Sequence, residues 1–105
     1  MNIKDMIECE QGWNTIIYSC HSELMAIDPL YQPLQIKEKF GGLRYYFSTQ
    51  LKDRNLVQKM YEVASKYENL SFQMCEKCGD SFARPYKTKN GWIKTHCPNH
   101  KKENK

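Results

Sequence analysis

The sequence predicts an α+β fold in which two helices flank a β-hairpin and a small cysteine-bearing ribbon ends the chain. Three observations carry that reading. Apolar residues recur at helical spacing in two separate stretches. A Gly-Gly pair interrupts an apolar-rich run at residues 34–47. Two short pairs of metal-ligating residues bracket a further turn signal near the C-terminal end.

From Gly12 to Asp28, Trp13, Ile16, Ile17, Cys20, Leu24 and Ile27 stand three or four apart, which is one face of a helix. Pro29 and Pro33 lack the donor a helix needs, so residues 28–33 read as a loop. Leu34 to Phe47 reads as two strands around Gly41-Gly42, because a two-residue hairpin turn needs positive φ. That turn sets Phe40 opposite Leu43, Glu38 opposite Tyr45 and Ile36 opposite Phe47. Leu34, Ile36, Phe40, Leu43, Tyr45 and Phe47 then share a face with Glu38. The other face carries Lys37, Lys39, Arg44 and Tyr46.

A second helix is predicted from Asp53, its cap, to Asn69, with Leu56, Val57, Met60, Ala64 and Tyr67 on one face. Leu70, Phe72 and Met74 alternate as a short strand would. Asn90-Gly91, between Phe82/Tyr86 and Trp92/Ile93, signals a second hairpin. Residues 1–70 are thus expected to form a helix-hairpin-helix core and 71–105 a ribbon unit packed on it. The charged end, Lys101 to Lys105, reads as frayed.

The chain has 105 residues, enough for one domain with a thin core. A net charge of +4 permits an anionic partner without demanding one. No stretch approaches the roughly 18 apolar residues of a membrane span, and the charged opening residues are unlike a signal peptide. A cytoplasmic location is therefore expected. In that reducing setting five cysteines favour metal ligation over a disulfide framework.

Cys75-Glu76-Lys77-Cys78-Gly79 lets two thiols reach one ion, and the glycine supplies the left-handed turn that follows. Cys97-Pro98-Asn99-His100 repeats the two-residue gap, with Asn90-Gly91 near the middle of the interval. Cys75, Cys78, Cys97 and His100 together favour one tetrahedral zinc in a zinc ribbon. Four protein ligands leave no open position, which makes the site structural. His96 competes with His100, and His100 is preferred because it keeps the pair spacing. Cys9, Cys20 and His21 match no ligand pattern, and Cys20 belongs to the apolar helix face.

On the hairpin, a Gly41-Gly42 turn places Lys39 opposite Arg44 and Lys37 opposite Tyr46. Facing like charges are mildly unfavourable, and a bound anion such as a phosphate removes that penalty. A solvated outer face is the simpler alternative. Glu38 on the apolar face needs a partner from Tyr45, Arg84 or a helix lysine. Arg84, Lys87, Lys89, Lys94, Lys101 and Lys102, interleaved with Tyr86 and Trp92, make the ribbon basic and aromatic, as in nucleic-acid-binding ribbons. No phosphate loop, nucleophile elbow or His-Glu-x-x-His occurs, and His96 to His100 only weakly suggests a metal-dependent nuclease.

Gln35-Ile36-Lys37-Glu38-Lys39-Phe40-Gly41-Gly42-Leu43-Arg44-Tyr45-Tyr46, the Cys75 to Gly79 run and Gly91-Trp92-Ile93-Lys94-Thr95-His96-Cys97 resemble a group of small, mostly uncharacterised bacteriophage and prophage proteins. The resemblance covers the middle and the C-terminal third of the chain. It implies a phage origin without an assigned activity. By analogy it points to non-catalytic accessory or counter-defence action on a nucleic acid, a nucleotide or a host protein. Exposed aromatics such as Tyr31, Tyr46 or Trp92 would meet a protein target.

Overall fold

The computed structural model describes residues 3–101. The charged end from Lys102 to Lys105, expected to fray and to add Lys102 to the basic ribbon, lies outside the described residues. Strand β1 (Ile7–Glu8) precedes a 3-10 turn at Gln11–Trp13 and helix α1 (Asn14–Ile27). The hairpin of β2 (Gln32–Lys39) and β3 (Gly42–Ser48) leads to α2 (Arg54–Ser71), and β4 (Arg84–Lys87) pairs with β5 (Ile93–His96). The larger sheet has the order β1-β2-β3, with β1 parallel and β3 antiparallel to β2. Among the described residues no helix is long and apolar enough to cross a membrane.

Helix α1 buries Ile16, Ile17, Cys20 and Leu24, the stripe read from the sequence, and Trp13 is buried at its start. It stops at Asp28, whose extended backbone (φ −140°, ψ 97°) is what a following proline imposes. Helix α2 opens on Asp53, whose carboxylate accepts from Asn55 N at 2.9 Å and Leu56 N at 3.3 Å. It runs through Leu70 to Ser71, so the strand expected at Leu70, Phe72 and Met74 does not form. Ser71 is the reason. Its buried Oγ accepts from Leu43 N at 2.8 Å, while Glu68 accepts from Tyr45 N at 2.8 Å. Side chains of α2 thus satisfy the outer edge of β3 that would otherwise invite another strand.

The first hairpin turns at Phe40-Gly41, not Gly41-Gly42. Both turn residues have positive φ, 55° and 82°, as the tight primed turn requires. Lys39 therefore pairs with Gly42, Glu38 with Leu43, Lys37 with Arg44 and Ile36 with Tyr45. The expected pairing of Lys39 with Arg44, and of Lys37 with Tyr46, is corrected by two positions. A slip of two keeps every side chain on its face, which is why Ile36, Leu43, Tyr45 and Phe47 are still buried together. Phe40 leaves that face for the turn, and Leu34 leaves it at an irregularity between Pro33 and Gln35.

The second hairpin docks on the first. Glu38 Oε2 accepts from Gly41 N at 2.8 Å and its Oε1 pairs with Lys94 Nζ at 2.9 Å. Thr95 donates its hydroxyl to Gly41 O at 2.5 Å. Glu38 thus finds its partner on β5, and not in Tyr45, Arg84 or a helix lysine. Burial pushes Lys94 down, but the Glu38 carboxylate outweighs it and its pKa is raised.

Candidate metal centre and its surroundings

The segment after α2 has almost no apolar core of its own: among the described residues Cys75, Ala83 and Cys97 are its only buried apolar cluster. What organises it is a turn and a hairpin. Gly79 N donates to Cys75 O at 2.8 Å, and Gly79 takes the expected left-handed conformation (φ 84°). Glu76 N donates to Thr95 O at 3.0 Å, which ties this turn to β5 just ahead of Cys97. His100 N closes the last turn onto Cys97 O at 3.0 Å.

These bonds bring Cys75, Cys78, Cys97 and His100 together, with one ligand atom from each within 4.8 Å of the others. Cys78 Sγ lies 3.6 Å from Cys97 Sγ, and His100 Nδ1 lies 3.2 Å from Cys97 Sγ and 3.7 Å from Cys75 Sγ. The sulfur separation is far beyond a disulfide bond. Burial raises the Cys75 thiol, yet backbone N–H groups of Cys97, Cys78 and Lys77 outweigh it and lower its pKa. The backbone N–H of Asp80 favours the Cys78 thiolate, but burial and the neighbouring Cys97 and Cys75 thiols push its pKa up to about 11. Adjacent thiolates repel, and a shared cation reverses that. The four residues could hold a metal ion. His96 stands outside the cluster: its ring is buried and its Nδ1 meets Tyr86 Oη at 2.8 Å.

The N-terminal segment seals the cysteine turn, a feature no sequence signal announced. Gly12 N donates to Glu76 O at 2.6 Å, Trp13 Nε1 to Met74 O at 2.8 Å, and Glu10 N to Glu76 Oε2 at 3.1 Å.

Cys9, Cys20 and His21 are not brought to a common ion among the described residues. His21 Nδ1 instead meets Tyr31 Oη at 2.5 Å, which meets Tyr45 Oη at 2.7 Å. Burial first, then nearby carboxylates, pushes both Cys9 and Cys20 up to about 12. Because only the thiolate reacts, alkylation of native protein near neutral pH should leave both unlabelled, roughly a thousandfold or more slower than a free cysteine. Peptide mapping checks this, and rapid labelling of either would contradict it.

Lys37, Lys39, Arg44 and Tyr46 do share the outer face of the first hairpin, but Glu8 of β1 lies beside Lys37 and breaks the basic row. Lys37 Nζ sits 6.0 Å from the Tyr46 ring centre. At the adjoining tips of the two hairpins, Phe40 is 62% and Trp92 68% exposed. Lys39, Phe40, Trp92 and Ile93 line one depression there. Tyr31 is only 4% exposed and is removed from the surfaces that could meet a partner.

Fold and site together define an α+β protein whose C-terminal segment gathers Cys75, Cys78, Cys97 and His100 into a cluster that could hold a metal ion. Comparison with family models, curated proteins and solved structures gives no match.

Proposed function

We propose that the chain is a zinc-stabilised, non-catalytic binding protein for a phosphate- and base-bearing partner, either single-stranded nucleic acid or a nucleotide. The zinc reading rests on ligand chemistry and spacing. Bond lengths of about 2.3 Å to sulfur and about 2.0 Å to nitrogen give tetrahedral edges of about 3.8 Å for S···S and about 3.5 Å for S···N. The separations of 3.6, 3.7 and 3.2 Å lie close to these. Zinc held by four protein ligands is structural, and the C-terminal segment then counts as a zinc ribbon.

The observation that carries the binding reading is the pair of exposed aromatic rings, Phe40 and Trp92, on adjoining hairpin tips with Lys39 beside them. Flat rings beside a cation are a stacking platform for bases. Lys39, with Lys37, Arg44 and Tyr46 on the outer face, suits the phosphates, while the Glu38 carboxylate that also lines the depression is paired with Lys94. The resemblance to phage proteins adds the setting: counter-defence action in the cytoplasm of an infected host.

Trp13 is fully buried and Trp92 exposed, so tryptophan fluorescence changes on titration with oligo(dT) should report Trp92. With about four phosphate contacts, affinity should fall roughly 50-fold between 50 and 200 mM salt. Lys39→Glu with Arg44→Glu should abolish binding, and Trp92→Ala should weaken it by about tenfold or more. Failure of saturable binding at low salt would refute the proposal. The same exposed Phe40 and Trp92 favour a second reading, inhibition of a host protein, which predicts a salt-tolerant complex of fixed stoichiometry.

A further inference from the structure

Behind the cysteine cluster, two buried side chains keep polar atoms without partners. Glu76 is 3% and His96 6% exposed, and neither Glu76 Oε1 nor His96 Nε2 finds a hydrogen bond. Such atoms are costly inside a protein unless something else satisfies them. Glu10 joins them, and one ligand atom from each of the three lies within 4.8 Å of the others. The group is separate from the cluster of Cys75, Cys78, Cys97 and His100 and shares no residue with it.

The chemistry of the three groups is complementary to a cation. Tyr86 Oη, 2.8 Å from His96 Nδ1, can accept the ring N–H and so leave Nε2 as a lone-pair donor, the arrangement in which a histidine ligates metal. Glu76 Oε2 is already fixed by Glu10 N at 3.1 Å, which orients the free Oε1. Glu10 is exposed and its Oε1 meets Lys77 Nζ at 3.3 Å, a surface ion pair that a divalent cation readily displaces. Glu10 and His96 line a cleft of about 430 Å³ that also borders Lys77, Trp92 and Lys94, whereas Glu76 does not reach its wall.

The geometry points to a second metal site, built from Glu10, Glu76 and His96, that takes a divalent first-row transition cation. Two carboxylates and an imidazole are a ligand set that such ions accept, harder than the thiolate set beside it. Three protein ligands leave coordination positions open toward the cleft, where water or an anionic oxygen of a ligand completes the sphere.

Equilibrium dialysis of the full chain against a series of free Zn2+ concentrations, with metal counted per chain, tests the site. Glu76→Gln and Glu10→Gln should each shift one equivalent to about tenfold or higher zinc. Whatever the cysteine cluster holds is common to all three proteins, so the comparison does not depend on it. Glu10 is a surface residue, and its variant decides the matter if Glu76→Gln disturbs folding. Identical binding curves for wild type and the variants that fold would overturn the site.

Discussion

Chelating the zinc proposed for Cys75, Cys78, Cys97 and His100 is expected to unfold residues 75–101 and to release one equivalent of metal as it does so. The reason is the poverty of that segment's own apolar core, which consists of Cys75, Ala83 and Cys97. Ordering each residue costs on the order of 1–2 kcal/mol, and a cluster that small offsets little of it. Zinc binding supplies on the order of 10 kcal/mol, comparable with the entire net stability of a small domain. The loss should spread beyond the ribbon. The Glu38–Lys94 ion pair, the Thr95–Gly41 bond and the Gly12–Glu76 bond all join the two halves and would go with it. Circular dichroism and thermal melts with and without chelator, alongside elemental analysis, give the answer. Cys97→Ser should reproduce the effect without chelator. A metal-free protein that melts where the loaded one does would end the zinc reading.

Gly12→Ala should also be destabilising, by less than zinc loss but by much for one added methyl group, at a position far in sequence from Cys75, Cys78 and Cys97. A Cβ at this position would stand 2.2 Å from Cys75 O and 2.3 Å from Glu76 O, both backbone atoms that cannot swing aside. The contact can be relieved only by parting the N-terminal segment from the cysteine turn. That sacrifices the 2.6 Å bond from Gly12 N to Glu76 O and strains the neighbouring bond from Trp13 Nε1 to Met74 O. Overpacking of this kind costs about 1–3 kcal/mol or more, so the melting temperature should fall by about 10 °C or more. Because the ligands themselves are untouched, metal should still bind, but more weakly. A Gly12→Ala protein with unaltered melting and metal affinity would show that the segment does not seal the turn.

Both predictions trace the boundary between what is local and what is not. The two helices, the Asp53 cap, the second hairpin and the four residues that cluster were legible in the sequence, because each depends on spacing along a short stretch of chain. Helical period, capping and two-residue ligand gaps are properties of neighbours. The faces of the first hairpin were legible for the same reason, since alternation survives a slip of two positions. The turn itself was not. Phe40 accepts positive φ where Glu38 accepts from Gly41 N and where Thr95 and Lys94 arrive from a strand more than fifty residues later.

The same logic hid the strand that α2 replaced. Leu70, Phe72 and Met74 alternate, but the buried Ser71 hydroxyl is needed by the Leu43 N–H, and only the folded chain sets that requirement. Glu10, Gly12, Glu76 and His96 carry no motif, and their proximity exists only once the N-terminal segment lies across the cysteine turn. The sequence by itself determined the two helices, the two hairpins and the four residues that cluster, through periodicities of a few residues. Tertiary structure alone decided hairpin register, the glycine seal and the second acidic-histidine cluster. Those depend on hydrogen bonds and steric contacts between segments that no local pattern encodes.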